Sequence, residues 1–367
     1  MAHYDFKKVA SNFKVAGEFV SCEPYGEGHI NQTFLLIMNE NGKNVKYILQ
    51  RINSNLFTNV EKLMNNIKLV TEFAREQIAK EGGNPNRESL TVILTNDDKA
   101  YYFDGENYFR VYIFIDDATA YQVVEKPEHF YESAVAFGNF ANLLAKFDAS
   151  KLYESLPNFH NTVKRFEALE KAIEDNISGR KDEVSAEIKF ALDRKDLVSA
   201  IVSKLESGEI PLKVTHNDTK LNNVLIDNAS GKAVAVIDLD TIMPGTICYD
   251  FGDSIRFGCN PAAEDEQDLS KVNFSIELFE QYVKGYMSAL KNSMTQSEAD
   301  NLALGAIMMT YECGIRFLTD HLNGDTYFRI KREGHNLDRT RTQFKLVSDM
   351  EAQFDKMNAI VNKYYKG

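Results

Sequence analysis

The chain has 367 residues, of which 44% are hydrophobic, 11% aromatic and 26% charged. This length exceeds that of a typical single-domain core, so we expect two lobes, each long enough to bury a core of its own. The formal net charge of -12 argues against a nucleic acid or an anionic membrane surface as a partner.

The four cysteines are scattered and form no C-x-x-C pair: Cys22, Cys248, Cys259 and Cys313. This spacing indicates neither a zinc site nor a disulfide framework, and it favours free thiols in a reducing compartment. No apolar run follows the N-terminal M-A-H-Y-D-F-K-K, so no signal peptide is predicted. The longest apolar segment, residues 302–318, carries Glu312 and Arg316, which favours a core helix over a membrane span. We therefore expect a cytoplasmic protein that has no membrane partner and no obligate protein partner.

The first part of the chain, to about residue 114, is predicted to be rich in strands, because β-branched and aromatic residues are concentrated in short runs. The predicted strands are Phe19–Pro24, Gln32–Met38, Lys46–Gln50, Leu90–Thr95 and Tyr108–Ile115. One helix, Val60–Ala79, interrupts them, and clusters of Gly, Asn and Pro at 41–44 and 82–86 mark turns.

Beyond a predicted hinge at residues 114–117 the pattern changes to helical periodicity. The predicted helices are Glu128–Phe147, Thr162–Asn176, Ser185–Glu206, Ile276–Lys291 and Thr340–Lys363. The predicted fold is therefore α+β and bilobal. Residues 1–115 are predicted to form a small β-rich N-terminal lobe, and residues 116–367 a larger, mainly helical C-terminal lobe.

The most informative stretch is V-T-H-N-D-T-K-L-N-N-V-L-I-D, residues 214–227, followed by A-V-I-D-L-D, residues 235–240. Asp218 follows a predicted strand and offers a carboxylate that can accept the proton of a substrate hydroxyl. Asn223 and Asp238 offer an amide and a carboxylate oxygen, which are hard ligands suited to magnesium. His-x-Asp, then Asn, then Ile-Asp is the order of a protein-kinase catalytic loop and its metal-binding Asp. The pattern predicts phosphoryl transfer with Asp218 as the catalytic residue.

An ordinary structural role is the alternative, since Asp and Asn often cap turns between strands. For Asn222 and Asp227 turn capping is the better interpretation. Three turn caps, however, have no reason to fall at the kinase spacing of Asp218, Asn223 and Asp238.

The segment resembles the aminoglycoside phosphotransferase and choline kinase superfamily, in which these motifs precede a Tyr-Asp pair, here Tyr249-Asp250. Within it the chain is most similar to the N-acetylhexosamine 1-kinase family. Six motifs occur in matching order from Pro24 to Gln343: P-Y-G-E-G-H-I-N, T-H-N-D-T-K-L-N-N, I-D-L-D-T-I-M-P-G, D-F-G-D-S-I-R-F-G, E-C-G-I-R-F and H-N-L-D-R-T-R-T-Q.

The resemblance implies a protein-kinase-like fold, Mg²⁺ as cofactor and ATP as co-substrate. It implies that Asp218 binds the sugar substrate and accepts the proton of its anomeric hydroxyl, giving a sugar 1-phosphate from GlcNAc or GalNAc. Because the carboxylate takes the proton, His216 is expected to brace the loop, with Asp250 as a second structural support.

The glycine-containing stretch G-E-G-H-I-N-Q-T, residues 26–33, lies between two predicted strands. Glycines let backbone amides approach phosphates, so we predict that this loop covers the nucleotide, although an ordinary hairpin turn remains the alternative. Backbone groups near 114–116 are expected to hold adenine. The predicted nucleotide-binding residues are Gly26, Gly28, His29, Asn31, Thr33, Phe114 and Asp116. For His29 and Asn31, contact with nucleotide or sugar and simple loop stabilisation both stay open.

Gln50 stands on a predicted strand where many relatives place a phosphate-anchoring lysine. Arg51 faces the other side of a regular strand, so it replaces the lysine only if a bulge re-aims it. A neutral anchor, with magnesium neutralising more of the charge, is the simpler prediction. The departure also motivates a non-catalytic pseudokinase that binds nucleotide or sugar, and the acidic chain suits a kinase of choline or an aminoglycoside.

Glu312 and Arg316 share one face of the apolar helix at i and i+4, and a charge buried there needs a partner. Either they form a mutual salt bridge, or Arg316 reaches the acceptor pocket. The resemblance favours the pocket for Arg316 and adds Tyr327 as a substrate-binding residue, whereas Arg339 and Arg341 are expected to form a structural network. The sequence does not distinguish GlcNAc from GalNAc, ATP from other nucleotides, or the oligomeric state.

Overall fold

The computed structural model describes residues 4–26, 30–124 and 126–367. The described chain divides into two compact units. The N-terminal unit comprises residues 1–119, 146–156 and 225–243, and the C-terminal unit comprises residues 120–145, 157–224 and 244–367. Both units are therefore discontinuous in sequence. The predicted division into lobes 1–115 and 116–367 stays a prediction.

The strands in chain order are β1 (Glu18–Pro24), β2 (Gln32–Glu40), β3 (Lys43–Ile52), β4 (Val92–Ile93), β5 (Tyr102–Phe103), β6 (Tyr108–Ile113), β7 (Ala118–Thr119), β8 (Lys213–Thr215), β9 (Val224–Asp227), β10 (Ala233–Val236) and β11 (Met243–Gly245). The helices are α1 (Phe6–Ala10), α2 (Val60–Lys80), α3 (Pro85–Glu88), α4 (Pro127–Leu143), α5 (Thr162–Asp175), α6 (Ser185–Leu192), α7 (Val202–Glu206), α8 (Ile247–Gly258), α9 (Ile276–Leu290), α10 (Gln296–Leu322), α11 (His335–Ala352) and α12 (Phe354–Lys366).

The N-terminal unit is built on an antiparallel sheet of order β1-β2-β3-β6-β4, with β5 also paired to β6. Side chains alternate between its two faces. One face packs Leu36, Leu49 and Val111 against helix α1. The other face carries a polar row, because Thr33 pairs with Gln50 across β2 and β3, and Gln50 pairs with Arg110 on β6.

Helix α2 contacts the polar face of this sheet, where Arg110 Nη1 lies 3.7 Å from the sulfur of Met64, and it also fixes a turn from a distant part of the chain. Its first turn is capped by Asn59, whose side chain accepts from the backbone N–H of Lys62. The fully buried Asn66 donates through Nδ2 to the carbonyl of Ile242 at 3.1 Å and to that of Tyr153 at 2.7 Å. Buried amides that satisfy backbone groups in this way hold loops in one conformation.

The C-terminal unit is organised around α10, which packs against α5, α8, α11 and α12. A capping box begins this helix, because Thr295 and Glu298 each bond the backbone N–H of the other. The helix has the length and composition of a membrane span, but 78% of its apolar window is buried inside the protein, as in a core helix.

Two predicted helices are wrong as continuous elements. The predicted Ser185–Glu206 is interrupted after Leu192 by a charged segment with a 3-10 turn, and only residues 202–206 are helical again. The predicted Thr340–Lys363 is two helices that meet at Gln353, whose φ of -114° and ψ of 11° lie outside helical geometry. The apolar period continues across this break because Met350 and Met357 are both fully buried, so periodicity alone did not reveal it.

A mixed fold with a β-rich N-terminal part and a helical C-terminal part is thus confirmed. Most predicted elements match observed ones, with ends shifted by a few residues. The predicted strand Leu90–Thr95 is an exception, since only Val92–Ile93 pair regularly.

Candidate active site

The candidate catalytic loop, residues 216–223, follows β8 and is held by carboxylates of helix α8. Asp250 accepts from the backbone N–H of His216 at 2.8 Å and from that of Asn217 at 2.7 Å. Asp253 accepts from the backbone N–H of Thr219 at 3.0 Å. Buried backbone amides need hydrogen-bond acceptors, and by supplying them the two carboxylates help to fix the path of the loop.

The two carboxylates differ in their electrostatics. Burial raises the pKa of Asp250, against the opposing influence of His216 and the two backbone N–H groups. Burial also acts to raise the pKa of Asp253, but the charges of Arg256 and Lys220 outweigh it, and the net pKa is below its usual value. Asp253 therefore stays ionised.

Asp218 presents its carboxylate at the middle of this loop with 27% of the side chain exposed. Lys220 places its Nζ 2.6 Å from one carboxylate oxygen. Asn223 donates through Nδ2 to the other oxygen at 3.2 Å and to the Asp218 carbonyl at 2.8 Å. Burial lowers the pKa of Lys220, but Asp218 and Asp253 more than compensate and raise it, so its ammonium stays charged.

His216 is fully buried against the rings of Phe137 and Phe140, at centroid distances of 5.5 and 6.2 Å. Its Nδ1 accepts from the backbone N–H of Asp218 at 3.3 Å. Such contacts are those expected of a residue that braces the loop. The bracing role assigned to His216 stays a prediction.

Asn223 and Asp238, the candidate metal ligands, have suitable donor atoms. Both described side-chain hydrogen bonds of Asn223 use its amide nitrogen, which leaves the side-chain oxygen as a donor atom for a cation. Asp238, in the N-terminal unit, adopts φ 60° and ψ 61° just before a 3-10 turn at residues 239–241. Asp and Asn tolerate this left-handed conformation better than most residues.

The surroundings of Asp238 contain a second carboxylate and one buried hydroxyl whose hydrogen bonding is unsatisfied within the described residues. Asp238 and Asp240 contribute two carboxylates, while Arg110 pairs with Asp240 and contributes one positive charge. The hydroxyl of Tyr112 has no hydrogen-bond partner in the part of the chain that the structure describes. A Mg²⁺ site needs only one or two protein carboxylates. The oxygen donors and the unsatisfied Tyr112 hydroxyl therefore fit a magnesium ion.

The described nucleotide candidates lie in the N-terminal unit, whereas Gly28 and His29 lie outside the described residues. Gly26 has a φ of 72°. The buried Asn31 donates to Asp240 and accepts from the backbone N–H of Asn53 at 2.9 Å, so its side chain stabilises the loop. Thr33 accepts from Gln50 at 2.9 Å.

Phe114 and Asp116, the candidates for adenine binding, also make contacts within the N-terminal unit. The ring of Phe114 packs edge-on against Tyr25 at 5.7 Å. The Asp116 carboxylate pairs with Lys46 at 2.7 Å, and the backbone carbonyl of Asp116 accepts a hydrogen bond from Arg87 at 2.6 Å. Their contact with adenine stays a prediction.

The salt bridge between Glu312 and Arg316, one of the two alternatives left open by the sequence, is absent among the described contacts. Glu312 instead accepts from Thr162 at 2.7 Å and contacts Nδ1 of His160 at 2.9 Å, so both carboxylate oxygens are occupied. Arg316 lies between the rings of Phe159 and Phe328, at 5.3 and 5.5 Å from their centroids.

Tyr327 is 62% exposed and is held through its backbone N–H, which donates to Asp320 at 2.8 Å. Arg339 and Arg341 contact protein groups near α11, in keeping with a structural network.

Comparisons with known proteins identify the family of the chain. Residues 21–284 match the sequence profile of the phosphotransferase enzyme family, APH. The chain belongs to this phosphotransferase family. An uncharacterized kinase-like protein of Caenorhabditis elegans is 31% identical over 150 residues, which are 39% of this chain and 35% of that protein. The match thus spans only about a third of that curated relative.

Solved structures similar to this phosphotransferase support the fold. The aminoglycoside phosphotransferase from Alicyclobacillus acidocaldarius has a TM-score of 0.62 at 13% identity, covering 99% of this chain and 98% of that one. Spectinomycin phosphotransferase, solved with ADP and spectinomycin, has a TM-score of 0.53 at 12% identity, covering 93% and 94%. At such identities the likeness shows the fold alone, which is protein-kinase-like.

Two residues near the candidate site of this phosphotransferase were missed from sequence. Lys220 carries a signal that could have found it, because it lies two residues after Asp218 within the loop. For His160 the sequence offers no such signal. His160 lies 57 residues before Asn217, yet its Nε2 is 3.2 Å from the carbonyl of that residue while its Nδ1 contacts Glu312. His160 thereby links α10 to the loop.

Proposed function

We propose that this chain is an ATP- and magnesium-dependent kinase that phosphorylates the anomeric hydroxyl of an N-acetylhexosamine, giving the sugar 1-phosphate. The observation that carries phosphoryl transfer is the convergence of Lys220 and Asn223 on the Asp218 carboxylate, in a chain of the phosphotransferase family. The choice of acceptor rests on the six motifs shared with N-acetylhexosamine 1-kinases.

Asp218 is the proposed base. Its carboxylate accepts a hydrogen bond from the anomeric hydroxyl and takes the proton as that oxygen bonds to the γ-phosphorus. The bond from the γ-phosphorus to the bridging oxygen breaks, and ADP leaves with that electron pair. A carboxylate has about four acceptor positions, so the contacts with Lys220 and Asn223 leave room for a hydroxyl.

Lys220 is the proposed electrostatic partner of the reaction. Its ammonium adjoins Asp218, so we expect it to orient the carboxylate and to donate to an oxygen of the transferred phosphoryl group. Magnesium, when bound, neutralises charge on the phosphates, and Asn223 and Asp238 are the proposed ligands. The loop of residues 26–33 is proposed to cover these phosphates.

Arg316 and Tyr327 are proposed to bind the sugar. The two aromatic rings beside Arg316 hold its guanidinium without using its N–H groups, which leaves those donors for sugar hydroxyls or an acetamido carbonyl. The exposed ring of Tyr327 supplies an apolar surface and a hydroxyl.

The test is magnesium-dependent release of ADP from ATP with GlcNAc, GalNAc, galactose, choline and kanamycin in parallel. Phosphorus NMR then identifies the product of any positive reaction. We expect turnover with the N-acetylated sugars and a sugar 1-phosphate as product. Turnover only with choline or kanamycin would reassign the acceptor, and silence with all five acceptors would favour a non-catalytic binding protein.

A further inference from the structure

The position of the missing lysine, Gln50, lies on a regular strand. β3 pairs without a bulge with β2 and with β6 over this region. Arg51 therefore faces the other side of the sheet, where its Nε donates to Asn107 at 2.8 Å. A positive charge at the Gln50 position cannot come from Arg51.

Gln50 belongs to a ring of five polar side chains, Asn31, Thr33, Gln50, Arg110 and Asp240, which we term the polar ring. Arg110 donates from Nε to Gln50 Oε1 at 2.9 Å and from Nη1 to Asp240. Asp240 also accepts from Asn31, and Gln50 donates to Thr33 at 2.9 Å. Asn31 and Thr33 lie two residues apart, so the ring closes at the C-terminal end of the loop of residues 26–33.

Arg110 is the cation of this ring, and it comes from the strand next to Gln50. Its side chain is 1% exposed and pairs with the 5% exposed Asp240. Burial acts to lower its pKa, but Asp240 outweighs this and raises the pKa further above its usual range, so the guanidinium is permanently charged. Removing either partner of such a buried pair would leave the other charge uncompensated, so Asp240 holds the guanidinium in place beside Gln50.

Gln50 is the member of the ring through which the guanidinium can strengthen a hydrogen bond to a ligand. Its oxygen accepts from the guanidinium, which polarises the amide and strengthens its N–H groups as donors. One N–H is used by Thr33. The other is left by these two bonds, and the residue is only partly buried.

We propose that Gln50 is the phosphate-anchoring residue for the nucleotide and that Arg110 is its positioning residue, supplying from the neighbouring strand the positive charge that a lysine would otherwise bring. This inference rests on the nucleotide-binding half of the proposed function and is independent of which acceptor is used. It also gives Asn31 a role: it ties the loop of residues 26–33 to the carboxylate that holds Arg110.

The experiment measures the Kd of ADP with Mg²⁺ by calorimetry, together with the thermal unfolding midpoint. Gln50→Met leaves the Arg110–Asp240 pair in place and is expected to raise the Kd of ADP at least tenfold. For Gln50→Lys the Kd is expected to stay within about threefold of that of the unaltered chain. Arg110→Met is expected to weaken binding at least tenfold as well. Adding Gln50→Lys to Arg110→Met returns a cation to the site and is expected to recover most of the loss.

Arg51→Met is the matched control, since it removes an arginine one residue away whose described side-chain hydrogen bond is to Asn107, outside the polar ring. It is expected to bind ADP like the unaltered chain. Unchanged ADP binding by Gln50→Met would overturn the inference, and this variant keeps the test valid if Arg110→Met does not fold. Loss of binding in Arg110→Met without recovery in the double variant would reduce Arg110 to a structural residue. Failure of the unaltered chain to bind ADP would instead contradict the proposed function itself.

Discussion

At Asp218, each oxygen of one carboxylate has its own donor. Lys220 contacts the first oxygen and Asn223 the second, which fixes the plane of the carboxylate before any substrate arrives. A catalytic group held in this way needs little reorganisation during the reaction. The two donors come from the same loop, so the arrangement is built by local sequence.

Asp218→Asn is expected to lower kcat by about 10²- to 10⁴-fold, because an amide cannot accept the proton. Binding of ADP, measured by calorimetry, is expected to be unchanged. Asp193→Asn, at an exposed carboxylate paired with Lys189, is the matched control. Near-normal turnover of Asp218→Asn would remove this residue from the mechanism.

Lys220→Met is expected to lower kcat about 10²-fold, since it removes one preorganised donor to the developing charge. Initial rates at saturating ATP and acceptor measure this effect, and Lys220→Arg is expected to recover part of it because it restores the charge. A methionine variant with unaltered kcat would show that the contact with Asp218 serves structure alone.

At the scale of elements, α10 reaches the catalytic loop through a buried acid. Glu312 on α10 contacts His160, and His160 contacts the carbonyl of Asn217. Burial acts to raise the pKa of Glu312, but its hydrogen bond with His160 and nearby charges outweigh burial and lower the pKa below the usual 4.5. The ionised carboxylate therefore stabilises the folded state.

This shift makes stability depend on pH. A depressed folded-state pKa contributes stability that is present above the unfolded value near 4.5 and is lost as pH falls through the folded value. In that window the group can contribute a slope of up to about 1.4 kcal/mol per pH unit. We expect Glu312→Gln to flatten the fall in the free energy of unfolding below pH 4.5, measured by urea titration. Glu167→Gln, at an exposed carboxylate, is the control, and an unchanged slope in Glu312→Gln would contradict the assignment.

Motif spacing and hydrophobic periodicity predicted the parts of the fold and of the candidate site that are formed by residues close in sequence. The loop of residues 216–223 and helices such as α2 and α5 follow from spacing and periodicity, which depend on near neighbours. The contacts that sequence reasoning missed join distant residues. Arg110 and Gln50 are 60 positions apart, and His160 and Glu312 are 152 apart. Both pairings are set by strand order and helix packing, which a single sequence does not encode locally.

At the scale of the whole molecule, ligand binding is expected to change stability by mass action. ADP with Mg²⁺ at about 100 times its Kd adds about 2.7 kcal/mol to the free energy of unfolding. We expect Asp238→Asn to lose the magnesium-dependent part of this increment and to keep the part seen with ADP alone. Urea titrations with and without magnesium measure both parts, and a full magnesium-dependent increment in the variant would exclude Asp238 as a ligand.

The left-handed backbone at Asp238 is also expected to affect how abundant variants at position 238 are in a cell. In its left-handed conformation most side chains with a Cβ are disfavoured by about 1–2 kcal/mol, whereas Asn and Gly fit. In a saturation mutagenesis scored separately for abundance and for activity, we expect Asn and Gly at 238 to remain abundant while inactive. Val and Ile are expected to be depleted on both scores. Asp238→Ala would combine a conformational penalty of the backbone with the loss of the carboxylate charge. Asp238→Asn keeps the backbone conformation and therefore tests the loss of the charge alone.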